Sequence, residues 1–310
     1  METKNQIIEE IGNHIWKVES GKPGHVFVVS GGIHGNEKTG AAVVRMIKEG
    51  LEQGSLSVQE GVWYFLHGNL EAMKLDERYT ESHVDLNRCF TDNLTGEDRQ
   101  SYEGMRAQEI MDAIAIEQYP YNSVVGIDIH STNHPSIPFL VSQKNPGLLH
   151  VHVLPHLATA QALLCDPDLI FEGELLTTDE YYARRGLGLC YESGHADDLS
   201  RVDVIYNEII AVGKAIGVVV APEDVVTLVS QAPHPIYTLR EAIILTDKGF
   251  EYAPGVGVEN FKPYSAGDIL GYHGSEPVMA PSNGVFLFPK LKKHWKVGKP
   301  LGYITECPSP

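Results

Sequence analysis

Apolar residues along this chain fall into short unbroken runs separated by stretches of helical spacing. The run at 25–29, His-Val-Phe-Val-Val, reads as a buried strand. Ala41, Val44, Met46, Ile47 and Leu51 then recur at roughly helical spacing across 37–51. A second strand is expected at 61–67, closed by Gly68-Asn69, and a helix at 105–118 with Ile110, Met111, Ile114 and Ile116 near one face. Further strands are expected at 123–130, 137–141 and 187–192, and helices at 146–157 and 197–218, the last with Asp197 or Asp198 as N-cap. Residues 1–24 read as an edge strand or lead-in with polar turns. The polar stretch 71–104 has little periodicity, and loops of that length in compact domains are often functional.

Strands alternating with helices point to an α/β fold, with a mixed, mainly parallel sheet covered by helices on both faces. Beyond Pro222 the pattern changes to short β-like runs at 242–245, 285–288 and 301–304, separated by Gly and Pro turns. That change divides the chain into an α/β domain, 1–222, and a small all-β C-terminal domain, 223–310.

With 310 residues, 43% of them hydrophobic, the chain can bury a large core. Its formal charge of −17 argues against broad nucleic-acid binding, which needs basic surface. The four cysteines, Cys89, Cys165, Cys190 and Cys307, form no CxxC pair and no disulfide-like framework, so free thiols in a reducing compartment are expected. The N-terminus has no secretory pattern, and the apolar segment 209–221 is interrupted by Lys214 and too short to span a bilayer. A cytoplasmic protein without a membrane partner is expected. Homo-oligomerisation stays open.

Candidate chemistry gathers where strands end. In an open α/β sheet, ligands bind beyond the carboxyl ends of the strands. Ser30-Gly31-Gly32-Ile33-His34-Gly35-Asn36-Glu37 joins the first strand to the first helix, and its glycines allow a tight turn. His34 and Glu37, three positions apart, can therefore aim at one point, and imidazole nitrogen and carboxylate oxygen are both Zn²⁺ ligands. His130, at the end of another strand, is the third candidate, with Asp128 placed to orient it. The chain has 14 histidines, and a lone histidine or a lone HxxE is weak evidence for a metal. The pair on a strand-to-helix turn together with a strand-end histidine is stronger. Glu192, after an apolar strand, is the candidate general base; an exposed loop carboxylate is an equal reading of the same position. Asn87 and Arg88 sit together in the polar loop, with Arg78 before them and Arg184 and Arg185 before the Glu192 strand. An arginine fork matches a carboxylate, though singly each is more often a solvated charge. There is no HExxH helix, no P-loop glycine before Lys38-Thr39 and no GxSxG elbow.

Gly-Gly-Ile-His-Gly-Asn-Glu at 31–37, Asp-Leu-Asn-Arg at 85–88, Asp-Ile-His-Ser-Thr at 128–132 and Tyr-Glu-Ser-Gly at 191–194 together resemble the aspartoacylase/succinylglutamate desuccinylase family, relatives of the zinc carboxypeptidases. The resemblance covers most of 25–220, and the β-rich tail also fits. It implies one Zn²⁺ per chain on His34, Glu37 and His130, with Glu192 as base and proton shuttle. It implies that Asn87 and Arg88 bind a substrate carboxylate and that Arg78 polarises the scissile carbonyl. A second carboxylate-binding arginine is implied before the base strand, where Arg184 or Arg185 would serve. The expected activity is hydrolysis of the amide bond of a small N-acyl amino acid. A metallocarboxypeptidase cutting peptide C-termini and a catalytically silent metal-binding protein are the alternatives.

Overall fold

One mixed sheet of twelve strands organises the computed structural model, which describes residues 6–143, 152–166, 177–222, 229–230 and 233–306. In chain order the strands are β1 (Glu9–Gly12), β2 (Ile15–Glu19), β3 (Val26–Gly31), β4 (Ser57–Val58), β5 (Val62–His67), β6 (Val124–Thr132), β7 (Phe139–Gln143), β8 (Leu163–Asp166) and β9 (Gly186–His195). They continue as β10 (Val219–Val220), β11 (Ile236–Ile244), β12 (Glu251–Tyr252), β13 (Lys262–Tyr264), β14 (Ile269–His273), β15 (Glu276–Met279), β16 (Gly284–Leu287) and β17 (Pro300–Glu306). The helices are α1 (Lys38–Glu52), α2 (Leu70–Leu75), α3 (Gly96–Gln100), α4 (Tyr102–Ile114), α5 (Thr178–Ala183) and α6 (Val202–Ala215).

The large sheet has the order β1-β2-β5-β3-β6-β9-β7-β8-β11-β17-β16-β13. Its centre, β5-β3-β6-β9, is parallel throughout. The far side turns antiparallel, where β11, β17, β16 and β13 extend the same sheet. Both the mainly parallel α/β centre and the β-rich C-terminal part therefore match the expected fold class.

Alternation along β3 explains the layers. Phe27 and Val29 face a core with α1 and α6, while Val26 and Val28 face a second core with α4 and α5. From β3 the chain crosses to β5 on one side, then passes back over to β6 on the other. That reversal opens a crevice at the carboxyl ends of β3 and β6. Two glycines let α1 press into it. A Cβ on Gly31 would lie 2.2 Å from the Gly40 backbone, and one on Gly40 would lie 2.4 Å from the Ile129 carbonyl oxygen.

Some expectations shift. Glu37 caps α1 rather than opening it. The helix expected at 105–118 starts earlier, because Ser101 caps the Gly104 amide, and ends where Ala115 turns left-handed at φ 46°. The helix expected at 197–218 begins only at Val202, because the Asp198 carboxylate accepts the Ser200 amide in a local turn and caps no helix. The first half of the helix expected at 146–157, residues 146–151, lies outside the described residues. Cys89, Cys165 and Cys190 are free thiols; Cys307 is outside the described residues. Among the described residues no helix is long and apolar enough to cross a membrane.

Candidate metal centre

The turn after β3 and the end of β6 bring three buried ligand-type side chains to one point. His34, Glu37 and His130 each offer one ligand atom, and these atoms lie within 4.8 Å of one another. His34 Nδ1 stands 2.7 Å from Glu37 Oε1, and His130 Nδ1 stands 2.8 Å from Glu37 Oε2. The two Nδ1 atoms are 3.2 Å apart. The opposite nitrogens are held by carboxylates: His34 Nε2 by Asp85 at 3.0 Å and His130 Nε2 by Asp128 at 2.6 Å. A carboxylate on Nε2 keeps the proton there and leaves the Nδ1 lone pair facing inward. Two such lone pairs and a carboxylate converging in a buried space are a donor set that fits Zn²⁺ with one position open.

The charge of Glu37 agrees with that demand. Burial works against an ionised Glu37, but the two imidazoles outweigh it and hold the carboxyl far below its usual range. Burial works against a charged His130, but Asp128 and Glu37 outweigh it and raise its pKa well above the histidine range, so its Nδ1 offers a lone pair once its proton is displaced by a bound ion. The Ser131 amide donates to Glu37 Oε2 at 2.9 Å and fixes the carboxylate from the side of β6.

Glu192 lies beside this cluster because β6 and β9 run parallel with His130 opposite Glu192. A hydroxyl contact of 2.8 Å between Ser131 and Ser193 ties the two strand ends together. Glu192 is 8% exposed, and its Oε2 is buried without a hydrogen-bond partner. Burial pushes its pKa up to about 7 against the pull of His130, and the nearby Glu37 carboxylate adds to the rise.

The polar loop supplies the cations. Arg78 donates to Asp85 Oδ2 at 2.9 Å and lies 3.7 Å from Glu37 Oε1. Asp85 therefore touches both Arg78 and His34, a role that no spacing in the sequence announced. Asn87 follows two residues on, its side-chain Oδ1 occupied by the Thr178 amide and hydroxyl at 2.9 and 3.0 Å. That leaves its amide group as a donor, with Nδ2 3.4 Å from His130 Nε2. Arg88 follows it, half-buried, donating to the Asn87 main-chain carbonyl.

Arg184 and Arg185 are not brought to the site. Arg185 pairs with Glu117, and Arg184 stands 3.8 Å from the same carboxylate. The Arg185 carbonyl accepts from Ser123 and Val124, at the start of β6. Both arginines thus lie at the amino ends of the strands, across the sheet from His130 and Glu192. A residue missed in the sequence brings a cation near Arg78, Arg88 and Glu192. Lys290 follows β16, and burial together with Arg78 and Arg88 pushes its pKa down to about 8. Its backbone is fixed by Leu301 and by the Trp295 indole, each at 2.8 Å. The run of Lys290, Lys292, Lys293, Lys296 and Lys299 in an otherwise acidic chain was the available signal.

The chain matches the family model described as the succinylglutamate desuccinylase/aspartoacylase catalytic domain over residues 23–202. A relative from Nostoc sp., named a probable aspartoacylase, is 36% identical over 123 residues, which make up 39% of this chain and 40% of that protein. The match thus spans less than half of the Nostoc relative. The succinylglutamate desuccinylase of Vibrio vulnificus is 26% identical over 286 residues, covering 84% of this chain and 75% of that protein. The crystal structure of succinylglutamate desuccinylase from Vibrio cholerae is similar with a TM-score of 0.76 at 19% identity, covering 95% of this chain and 85% of that one. At that identity the likeness speaks for the fold.

Proposed function

The chain belongs to the succinylglutamate desuccinylase/aspartoacylase family, and from that premise we propose that it hydrolyses the amide bond of a small N-acyl amino acid with one bound Zn²⁺. The observation that carries this reading is the junction of a buried His34-Glu37-His130 donor set with the buried Glu192 carboxylate on the adjacent strand, whose Oε2 has no hydrogen-bond partner. His34, Glu37 and His130 would hold the ion, which when bound acidifies a water and polarises a carbonyl.

The chain's own residues do the rest. Glu192 takes the proton of the attacking water and delivers it to the departing amine. A carboxyl whose pKa lies near 7 suits both transfers. Arg78, fixed by Asp85, offers N–H groups to the acyl oxygen as negative charge develops there. The Asn87 amide and the Arg88 fork grip the free carboxylate of the amino acid. Lys290 adds a third cation from the C-terminal part, so the site favours an anionic substrate. The division of the chain at residue 222 belongs to the same proposal: the first unit carries the chemistry, and the second brings Lys290 to it.

The test is side-by-side hydrolysis of N-acetyl-L-aspartate, N-succinyl-L-glutamate, neutral N-acetyl amino acids and short peptides by the zinc-loaded protein. Release of free amino acid from acidic N-acyl substrates, abolished by a chelator and restored by zinc, is the expected result. Cleavage of peptides alone would replace this reading with a carboxypeptidase.

A further inference from the structure

Donors from two separate segments end on one buried carboxylate outside the site. Glu103 lies in the first turn of α4 and is fully buried. Its Oε1 accepts from Asn69 Nδ2 at 3.0 Å and from the Thr80 amide at 2.9 Å, while its Oε2 accepts from Ser82 Oγ at 2.6 Å. Asn69 lies just past β5 and caps α2 through the Ala72 amide at 3.0 Å. Thr80 and Ser82 belong to the loop between Arg78 and Asp85. Resting on the deacylase reading above, we propose that Glu103 is a positioning residue that clamps the 78–85 loop to the end of β5, holding Arg78 beside Glu37 and Asp85 on His34.

Docking of α4 does not need this charge. Arg106, one turn further on, donates from Nε to the Gly68 carbonyl at 2.8 Å and from a terminal nitrogen to the His67 carbonyl at 2.6 Å. Ala107, Ile110, Met111 and Ile114 bury the same helix face in the core. An apolar residue at position 103 would therefore serve α4 well, and a buried carboxylate is costly unless its lone pairs are satisfied. The loop gains what α4 does not need. Residues 76–85 form no regular element. The start of this loop is tied by the Glu77 amide to the Ala72 carbonyl at 3.1 Å and by the Lys38–Asp76 pair at 2.7 Å, and its middle by the Gly35 amide to the Arg78 carbonyl at 3.4 Å. Arg78 and Asp85 meet each other and the site, so Glu103 is the tie that holds Thr80 and Ser82 to the fold. Without Glu103 the Thr80 amide and the Asn69 side chain each lose this acceptor. Asn87 is held separately by Thr178. Loosening the clamp should therefore disturb Arg78 and Asp85 more than the carboxylate grip, and lower kcat more than it changes KM.

Glutamine is the conservative control. Its single carbonyl oxygen can still accept from Asn69 and Thr80, and its amide can donate to Ser82 Oγ. Leucine keeps the volume and removes every acceptor. The experiment compares the parent, Glu103→Gln and Glu103→Leu by amide hydrogen exchange, zinc content and steady-state hydrolysis of acidic N-acyl amino acids. In Glu103→Leu, amides of residues 78–85 should exchange about 10-fold faster or more. Its kcat should fall about 10- to 100-fold, with KM and zinc content within about threefold of the parent. Glu103→Gln should stay close to the parent in both readouts. If Glu103→Leu does not fold, Ser82→Ala at an exposed position decides: faster loop exchange with a kcat several-fold lower supports the clamp, and parental values overturn it. A folded, zinc-loaded Glu103→Leu with parental loop exchange and parental kcat, changed only in melting temperature, also overturns it. A parent that turns over no N-acyl amino acid sinks the deacylase reading instead, and loop exchange then decides the clamp alone.

Discussion

Replacing Glu192 with Gln should make the metal-free protein more stable and the zinc-loaded enzyme far slower. The substitution keeps the shape and removes the charge. Burial, working against His130, lifts the folded-state pKa from 4.5 to about 7. At about 1.36 kcal/mol per pKa unit, that rise amounts to roughly 3 kcal/mol. The sign follows from which state releases its proton first. Below about pH 4.5 the carboxyl is protonated in both states and has no effect on stability. Between about pH 4.5 and 7 the unfolded chain ionises while the folded one keeps its proton, so stability falls as pH rises. Above about pH 7 both are ionised and the whole cost of the buried charge is present. Urea unfolding of zinc-stripped parent and Glu192→Gln should therefore differ little near pH 5. The gap should widen by roughly 2–3 kcal/mol in favour of the variant by pH 8. With zinc restored, the variant should bind metal as the parent does while kcat drops by a factor of roughly 10² or more. A gap that stays constant from pH 5 to pH 8 would refute the desolvated pocket. Full activity would remove Glu192 as the base.

The other predictions are simpler. His34→Ala/His130→Ala should reduce zinc from about one ion per chain to near none by elemental analysis, since one carboxylate alone makes a weak site; parental zinc content would remove the metal centre. Lys290→Met should raise KM for anionic N-acyl amino acids about tenfold, with kcat changed less, as loss of a ground-state charge contact does; an unchanged KM would take Lys290 out of the substrate's reach. Arg185→Gln should leave kcat and KM within about twofold, because its partner is the Glu117 carboxylate at the other end of the strands; a large loss in kcat/KM would restore it to the site.

What the sequence made legible is what local chemistry determines. The run into β3, the glycine turn and the helical spacing after it place His34 and Glu37 at a strand-to-helix junction before any tertiary contact is known. A strand-end histidine and a strand-end glutamate on two further buried runs complete the cluster, because parallel strands of one sheet share a carboxyl edge. The misplacement of Arg184 and Arg185 has a geometric reason. They are near Glu192 in sequence, but β9 is extended between them, and at about 3.3 Å per residue seven residues span roughly 20 Å. Closeness along a strand is distance across a sheet.

Residues that steady the ligands leave no local trace, since each acts across tens of residues. Asp85 reaches His34 over 51 positions, and Glu103 reaches Asn69 over 34. Lys290 is the extreme case, since only the continuation of the sheet through β11, β17 and β16 returns the chain to the cleft. Its charge is informative for that reason. Burial first, and then repulsion from Arg78 and Arg88, bring its pKa down to about 8, and Asp85 and Glu192 offset only part of that. Arg78, Arg88 and Lys290 are half-buried together, Asp85 and Glu192 balance part of their charge, and an anionic ligand among them would balance more. An N-acyl amino acid with a second carboxylate beside its α-carboxylate meets that condition more fully than one with the α-carboxylate alone. The ratio of kcat/KM for acidic over neutral N-acyl amino acids should therefore collapse towards one in Lys290→Met/Arg88→Met, with zinc content unchanged. A ratio that survives in that variant would mean the selectivity comes from elsewhere in the cleft.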